Sequence, residues 1–351
     1  MIIKEVSKLP ALLPALILPI KKNNIFTIKI DKSIEIVVVS KPGSINSHQA
    51  NVAIILEEKK ILKILSKRYK HVSITKISTE RDLQRLVTRK PDLVFSGVKY
   101  FLFKDKTIWL NDYLDQFHIP YIASNVKALG NESDKNKAKK IIKLNKIKTA
   151  NFFVTTPGKY LTKSSLPIKF PLFVKPVIGG DSRGVDKNSI VLNFKNFVKK
   201  VLDIKNKQNS SSLVETYLSG KEYSVGIFED SIDGSLIAMP IEIIVEKNSN
   251  GHRILDFNIK KNDEEKVIVV TDSKIFNKLS KIAKKSFTAL KGKSIGRIDI
   301  KMDHKGTPHF IEANLMPGLR KGYFYRSCLL NLGITYDEMI LRIANNGLVS
   351  N

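Results

Sequence analysis

Residues 34–39, IEIVVV, are a short uninterrupted apolar run and read as a buried strand. Ser40-Lys41-Pro42-Gly43-Ser44 follows as a turn. Apolar positions Ile54, Ile55, Ile61, Leu62 and Leu65 recur at helical spacing over 53–65, and 72–77 alternates as a strand. A helix over 79–88 takes Thr79 as its N-cap. Residues 92–96 (DLVFS) and 120–122 (PYI) read as further buried strands. Strands alternating with helices predict a parallel sheet with crossovers, in one α/β domain ending near residue 128.

The second half reads as mixed sheets with flanking helices. The pattern predicts a basic helix over 131–144, a strand over 170–176 and another over 189–192. A helix over 196–204 and a polar connector over 205–212 come next. Strands over 212–217, 222–228 and 237–245 precede an amphipathic helix over 271–290, with apolar Ile275, Phe276, Leu279, Ile282, Ala283, Phe287 and Leu290, that stops at Gly292. Two alternating runs, 296–302 and 310–314, flank Lys305-Gly306 and predict a β-hairpin. Arg297, Asp299 and Lys301 fall on one face of its first strand, and Phe310, Glu312 and Asn314 on one face of its second. If Lys305-Gly306 is a two-residue loop, Asp299 pairs with Glu312 and Arg297 with Asn314. A slip of one residue would undo that pairing. No internal repeat is present.

Composition narrows the class. A chain of 351 residues, 42% apolar, has room for two or three cores. Its single cysteine, Cys328, excludes an internal disulfide framework and fits a reducing, cytoplasmic setting. The apolar run 9–20, LPALLPALILPI, is too short to span a bilayer and is broken by Pro10, Pro14 and Pro19. It is expected to pack on the body as an extension, with no membrane role. The net charge of +27 would draw in anions, nucleotides and nucleic acid included. Lysine is spread along the chain, however, with no basic block interleaved with aromatics, so a nucleic-acid track is not expected.

Four segments carry candidate chemistry. In the hairpin, Asp299, Glu312 and the amide of Asn314 could converge on one hard cation. Mg²⁺ binds in this way, through one or two carboxylates and substrate phosphates. Arg297 beside them suits a transition-state anion. An exposed ribbon with salt bridges across its face is the alternative, although Pro317-Gly318 ends the strand sharply, as at a site edge. Gly179-Gly180-Asp181-Ser182-Arg183-Gly184, after a strand ending near Lys175, offers backbone N–H groups to phosphate. It matches neither a Walker A loop nor a dinucleotide fingerprint, and a plain turn fits it equally. The strand at 213–218, with Glu215, Leu218 and, past the turn, Glu222, could take a base and ribose or be an ordinary strand. Lys260 is by default a solvated lysine.

Taken in order, these segments resemble the ATP-grasp superfamily in its D-alanine–D-alanine ligase-like branch, from about residue 90 to the end and more faintly from 34. The most specific part is Arg-x-Asp, then Glu-x-Asn thirteen residues after the Asp, then Pro-Gly. The resemblance implies an ATP-grasp fold (α/β, α+β mixed) behind an N-terminal Rossmann-like domain. The divisions would be 1–128, a central lid subdomain 129–222 and a catalytic subdomain 223–351. It implies ATP contacts at Lys135, Lys175, Gly179, Gly180, Ser182, Glu215, Leu218, Glu222 and Lys260. Asp299, Glu312 and Asn314 would hold two Mg²⁺ ions (Mn²⁺ able to substitute), and Arg297 would stabilise the oxyanion.

The implied reaction joins a carboxylate to an amine through an acyl phosphate, with amino acids or peptides as substrates, in a protein that dimerises like others of the family. The chain departs from the family where substrate is chosen. Ser96-Gly97-Val98-Lys99 replaces a His-Gly pair, and residues 43–48 lack the N-terminal glutamate. Arg320 and Tyr323 stand where a Thr and a Ser hold the second substrate, with Lys321 and Arg326 nearby. A pair other than two D-alanines is therefore expected. Two other readings remain: a catalytically silent nucleotide-binding module, and a basic nucleic-acid-binding protein.

Overall fold

The computed structural model describes residues 29–39, 56–104, 106–180, 182–230, 232–248 and 251–349. The apolar run at 9–20, the turn at 40–44, the loop at 43–48 and the start of the helix expected from residue 53 lie outside them.

The first part is parallel, as the alternation of elements requires. Strands β1 (Ile30–Val39), β2 (Tyr69–Ile77) and β3 (Leu93–Ser96) form a sheet in the order β2-β1-β3, with α1 (Glu58–Leu65) and α2 (Glu80–Thr88) as crossovers. Ile34, Ile36 and Val37 of β1 are buried, which explains the unbroken apolar run. Thr79 caps α2 in a reciprocal box: its hydroxyl accepts from Asp82 N at 3.3 Å, and the Asp82 carboxylate accepts from Thr79 N at 2.9 Å. The strand expected at 120–122 reduces to a single parallel bridge from Tyr121 to Val94. A hairpin of β4 (Tyr100–Phe103) and β5 (Lys106–Trp109), then α3 (Leu110–Asp115), fills the interval between them.

The basic helix expected over 131–144 is two helices, α4 (Val126–Ser133) and α5 (Lys135–Leu144). Asp134 leaves helical geometry, bridges Ile178 and caps α5 through Asn136 N and Lys137 N. Strands β6 (Phe152–Thr155), β7 (Leu172–Pro176), β8 (Ile190–Val191) and, after α6 (Phe194–Gln208), β9 (Ser212–Thr216) form an antiparallel sheet, β6-β9-β7-β8. Phe197, Val201 and Ile204 of α6 pack on Leu172, Val174 and Val214. This helix takes in the first residues of the expected connector.

A second antiparallel sheet has the order β12-β11-β10-β13-β14. Its strands and helices are β10 (Glu222–Glu229), β11 (Leu236–Ile244), α7 (Phe257–Asn262), β12 (Lys266–Val269), α8 (Ser273–Ala289), β13 (Ile295–Met302) and β14 (Pro308–Asn314). Helix α8 buries Leu279, Ile282, Ala283 and Phe287, the face its spacing predicts. Helices α9 (Tyr323–Leu332) and α10 (Tyr336–Val349) complete the fold. The Lys67–Asp337 ion pair at 2.9 Å ties α10 back to the first part.

The β13–β14 hairpin differs from expectation at its turn. The loop is His304-Lys305-Gly306, closed by Asp303 N–H to Thr307 O at 3.0 Å, with Gly306 left-handed at φ 71°. Three-residue loops of this type need glycine at that position. The longer loop shifts the pairing by one, so Ile300 faces Phe310. A bulge at Ile311 then restores it, and Asp299 faces Glu312 and Arg297 faces Asn314. Phe310 therefore does not share a face with Glu312. It is buried in the core, and the bulged residue Ile311 joins Glu312 on the other side.

Candidate active site

The two antiparallel sheets face each other across a cleft. From the smaller sheet it is lined by Phe173, Lys175 and Glu215, and from the larger by Glu222, Asp299, Lys301, Ile311 and Glu312. Lys135, Gly179, Gly180, Ser182, Leu218 and Lys260 line it as well. Residues far apart in the chain thus meet in one place, and each is delivered by an identifiable element.

Lys135 opens α5, where its Nζ donates to Gly179 O, and Lys175 is the last residue but one of β7. Glu215 lies buried between two lysines, 2.5 Å from Lys139 Nζ and 2.7 Å from Lys175 Nζ. Burial alone would raise its pKa, but the two ammoniums outweigh it and hold the carboxyl at about 2. Burial pushes Lys139 and Lys135 down, against Glu215 and Glu312 respectively. Lys175 is also buried, yet Glu215 and Glu312 together raise it. A compensated cluster of this kind keeps cations in a dry wall, where phosphate charge would be felt strongly.

Lys139 is a residue the linear reading passed over. It is fully buried, and its Nζ also donates to Thr149 Oγ1, which donates to Phe310 O at 2.8 Å. The available signal was its spacing: positions 135 and 139 share a helix face. Glu222 pairs with Lys301 at 2.8 Å, so the base-and-ribose end is also charge-balanced.

The glycine-rich segment forms the cleft's roof. Gly179 and Gly184 hold φ of +116° and +77°. Ser182 Oγ donates to Leu255 O at 3.0 Å, which fastens this segment to the one that leads into α7 and Lys260. Arg253 and Tyr217 line the same cleft, and Tyr217 meets His252 edge-on at 5.6 Å between ring centroids.

At the other end, Arg297 Nε and Nη2 each donate to Asp299 at 3.0 Å, and Ser224 Oγ donates to Asp299 at 2.7 Å. Burial opposes the charged form of Asp299, but Arg297 prevails and lowers its pKa; the same pairing raises that of Arg297. Asn314 Nδ2 lies 3.5 Å from Asp299 Oδ2. Among the described residues, the Glu312 carboxylate has no ion pair or hydrogen bond, and no cluster of three or more His, Cys, Asp or Glu forms a self-sufficient cage. Two carboxylates and an amide, all hard oxygen donors, fit a cation that completes its shell with phosphate oxygens.

Tyr323 begins α9 under Arg297, 5.5 Å from its ring centroid to the guanidinium carbon. Burial, then Glu265, raises its hydroxyl pKa. Arg320 is exposed and does not line the cleft. Arg326 is engaged by Asp263 and, at 3.5 Å, by Glu265, so it braces α9 against the segment after α7.

Comparison with known proteins accords with this geometry. Residues 141–345 match the family model described as D-ala D-ala ligase C-terminus. A D-alanine–D-alanine ligase of Bacillus anthracis is 26% identical over 313 residues, covering 86% of this chain and 94% of that protein. The crystal structure of the Bacillus anthracis ligase complexed with ATP superposes with a TM-score of 0.68 at 19% identity, over 91% of this chain and 98% of the other. The VanG D-Ala:D-Ser ligase of Enterococcus faecalis superposes with a TM-score of 0.62 at 16% identity, over 91% and 100%. The chain belongs to the D-Ala–D-Ala ligase family and is an ATP-dependent carboxylate–amine ligase of the ATP-grasp fold.

Proposed function

We propose that the protein joins an amino acid or short peptide, through its carboxylate, to a second amine-bearing substrate, by way of an acyl phosphate. The observation that carries this reading is the meeting of the lysine-rich wall with the paired Asp299 and Glu312 in one cleft. Lys135, Lys175 and Lys260 offset the charge of the triphosphate, and the glycine-rich roof supplies backbone donors to it. Asp299, Glu312 and Asn314 are the residues that would hold Mg²⁺, which when bound offsets phosphate charge and orients the transferred group. Glu215, Leu218 and Glu222 border the base and ribose.

Arg297 is fixed by its two bonds to Asp299, which leaves Nη1 to donate to the tetrahedral oxyanion. Losing one such donor typically costs about 10²–10³ in rate. Tyr323, under the guanidinium, is the candidate second-substrate contact; Arg320 stands at the surface and Arg326 is held by acids. The divisions 1–128, 129–222 and 223–351 belong to the same reading. The parallel sheet is the first unit, and the cleft lies between the other two.

A phosphate-release screen over amino acids of both hands and small peptides tests the reading. ATP turnover is expected only with both an acid and an amine present, and Asp299→Asn should abolish it without unfolding the chain. Nucleotide binding with no turnover for any pair would overturn it in favour of a silent module. Unchanged turnover in Asp299→Asn would overturn the cation assignment.

A further inference from the structure

One buried ion pair lies beside the cleft and has no part in the chemistry above. Lys99 follows β3, in the stretch where the chain lacks the family's His-Gly pair, and pairs with Glu132 on α4. Their side chains are only 13% and 3% exposed. The other oxygen of Glu132 accepts the backbone N–H of Leu315. Leu315 is fully buried and directly follows Asn314. One carboxylate thus joins the β3–β4 connection, α4 and the end of β14.

Burying charge is unfavourable unless it is paired and hydrogen-bonded, and apolar residues of similar volume often serve stability as well. What an apolar trio would not supply is a directional, charge-assisted bond to one particular backbone N–H. That N–H sits one residue past Asn314, whose side-chain amide must stay beside Asp299. Strand β14 is also the edge of its sheet; on its outer side Thr149 bridges it at Phe310, four residues short of Asn314. The bulge at Ile311, immediately before Glu312, would otherwise leave the strand's end free to twist.

We propose that Glu132 and Lys99 are positioning residues for the divalent-cation site. Glu132 pins the backbone at Leu315 and so holds Asn314 in line with Asp299 and Glu312. Lys99 balances the charge of Glu132 and carries the first α/β part into the same junction. The inference rests on the reading of Asp299, Glu312 and Asn314 as cation ligands.

The test uses the full chain with a non-hydrolysable ATP analogue and Mn²⁺, with free Mn²⁺ followed by its EPR signal. Glu132→Ala and Lys99→Gln should each weaken Mn²⁺ binding about tenfold, in the range usual for lost outer-shell partners. Lys99→Arg, which keeps the charge, should restore most of it. Circular dichroism and the fluorescence of Trp109, the single tryptophan, verify folding. Asn314→Ala is the control. If it weakens Mn²⁺ binding while folded Glu132→Ala and Lys99→Gln bind like wild type, the positioning role is wrong and the cation reading stands. If Asn314→Ala also binds like wild type, the cation reading falls and the proposal with it. Should Glu132→Ala not fold, Lys99→Gln decides by the same titration.

Discussion

Glu215 shows how much a single side chain can depend on its surroundings. On a strand of ordinary pattern, it looks like a carboxylate that could meet a ribose. In the fold it is the anion that offsets the burial of Lys139 and Lys175 in a dry wall. Its pKa falls from 4.5 to about 2, so the ionised form favours the folded state. That contribution is complete above about pH 4.5 and is lost as pH falls toward 2. Its size is on the order of 3 kcal/mol, at about 1.4 kcal/mol per tenfold change in proton affinity. The stability difference between wild type and Glu215→Gln, measured by urea unfolding, should narrow as pH falls from about 4.5 toward 2. A difference that widened on acidification would show that Glu215 is not held ionised. Lys139 teaches the same lesson from the other side: its spacing sets it on one helix face with Lys135, but only the fold shows that it is buried there.

At the scale of elements, hydrophobic period sufficed where an element buries one clear face. Helix α8, strand β1 and the Thr79-capped α2 were legible for that reason. The break at Asp134 was not, because it depends on a bridge to Ile178 more than forty residues away. The hairpin of β13 and β14 is the instructive case. A two-residue loop without a bulge and a three-residue loop with one give the same pairing at Asp299 and Glu312, but place Phe310 on opposite faces. The buried neighbours decide between them, since Phe310 is an aromatic ring that the core accepts.

The turn at Gly220 packs on the same hairpin. A Cβ there would come within 2.6 Å of the carbonyl oxygens of Met302 and Asp303, which cannot yield as a side chain tip would. Gly220→Ala is therefore expected to destabilise the protein by about 1–3 kcal/mol, the usual range for overpacking. It should also weaken nucleotide binding by displacing Glu222. A melting temperature and ATP affinity equal to wild type would refute that close contact.

For the whole molecule, the cleft works only if its two walls close together. The Ser182–Leu255 hydrogen bond is the visible fastening between the roof and the segment leading to Lys260. Closure excludes water that would hydrolyse an acyl phosphate. Ser182→Ala should therefore still turn over ATP but release more phosphate than amide product, as shown by quantifying both in one reaction. Equal amounts would mean that the fastening has no part in excluding water. The net charge of +27 acts at this scale too, since a general positive field favours encounter with an anionic nucleotide. Among the described residues, no helix is long and apolar enough to cross a membrane.

Residue order by itself determined the type of those elements that bury one clear face, the parallel first sheet and the spacing of Arg297, Asp299, Glu312 and Asn314, because period and short-range pairing are local properties. Only the tertiary structure decided that Lys139 is buried, that Arg326 is occupied by acids, that β14 bulges at Ile311 and that Glu132 reaches Leu315. Each of these depends on which distant groups come to share one low-dielectric interior, and no local pattern encodes that.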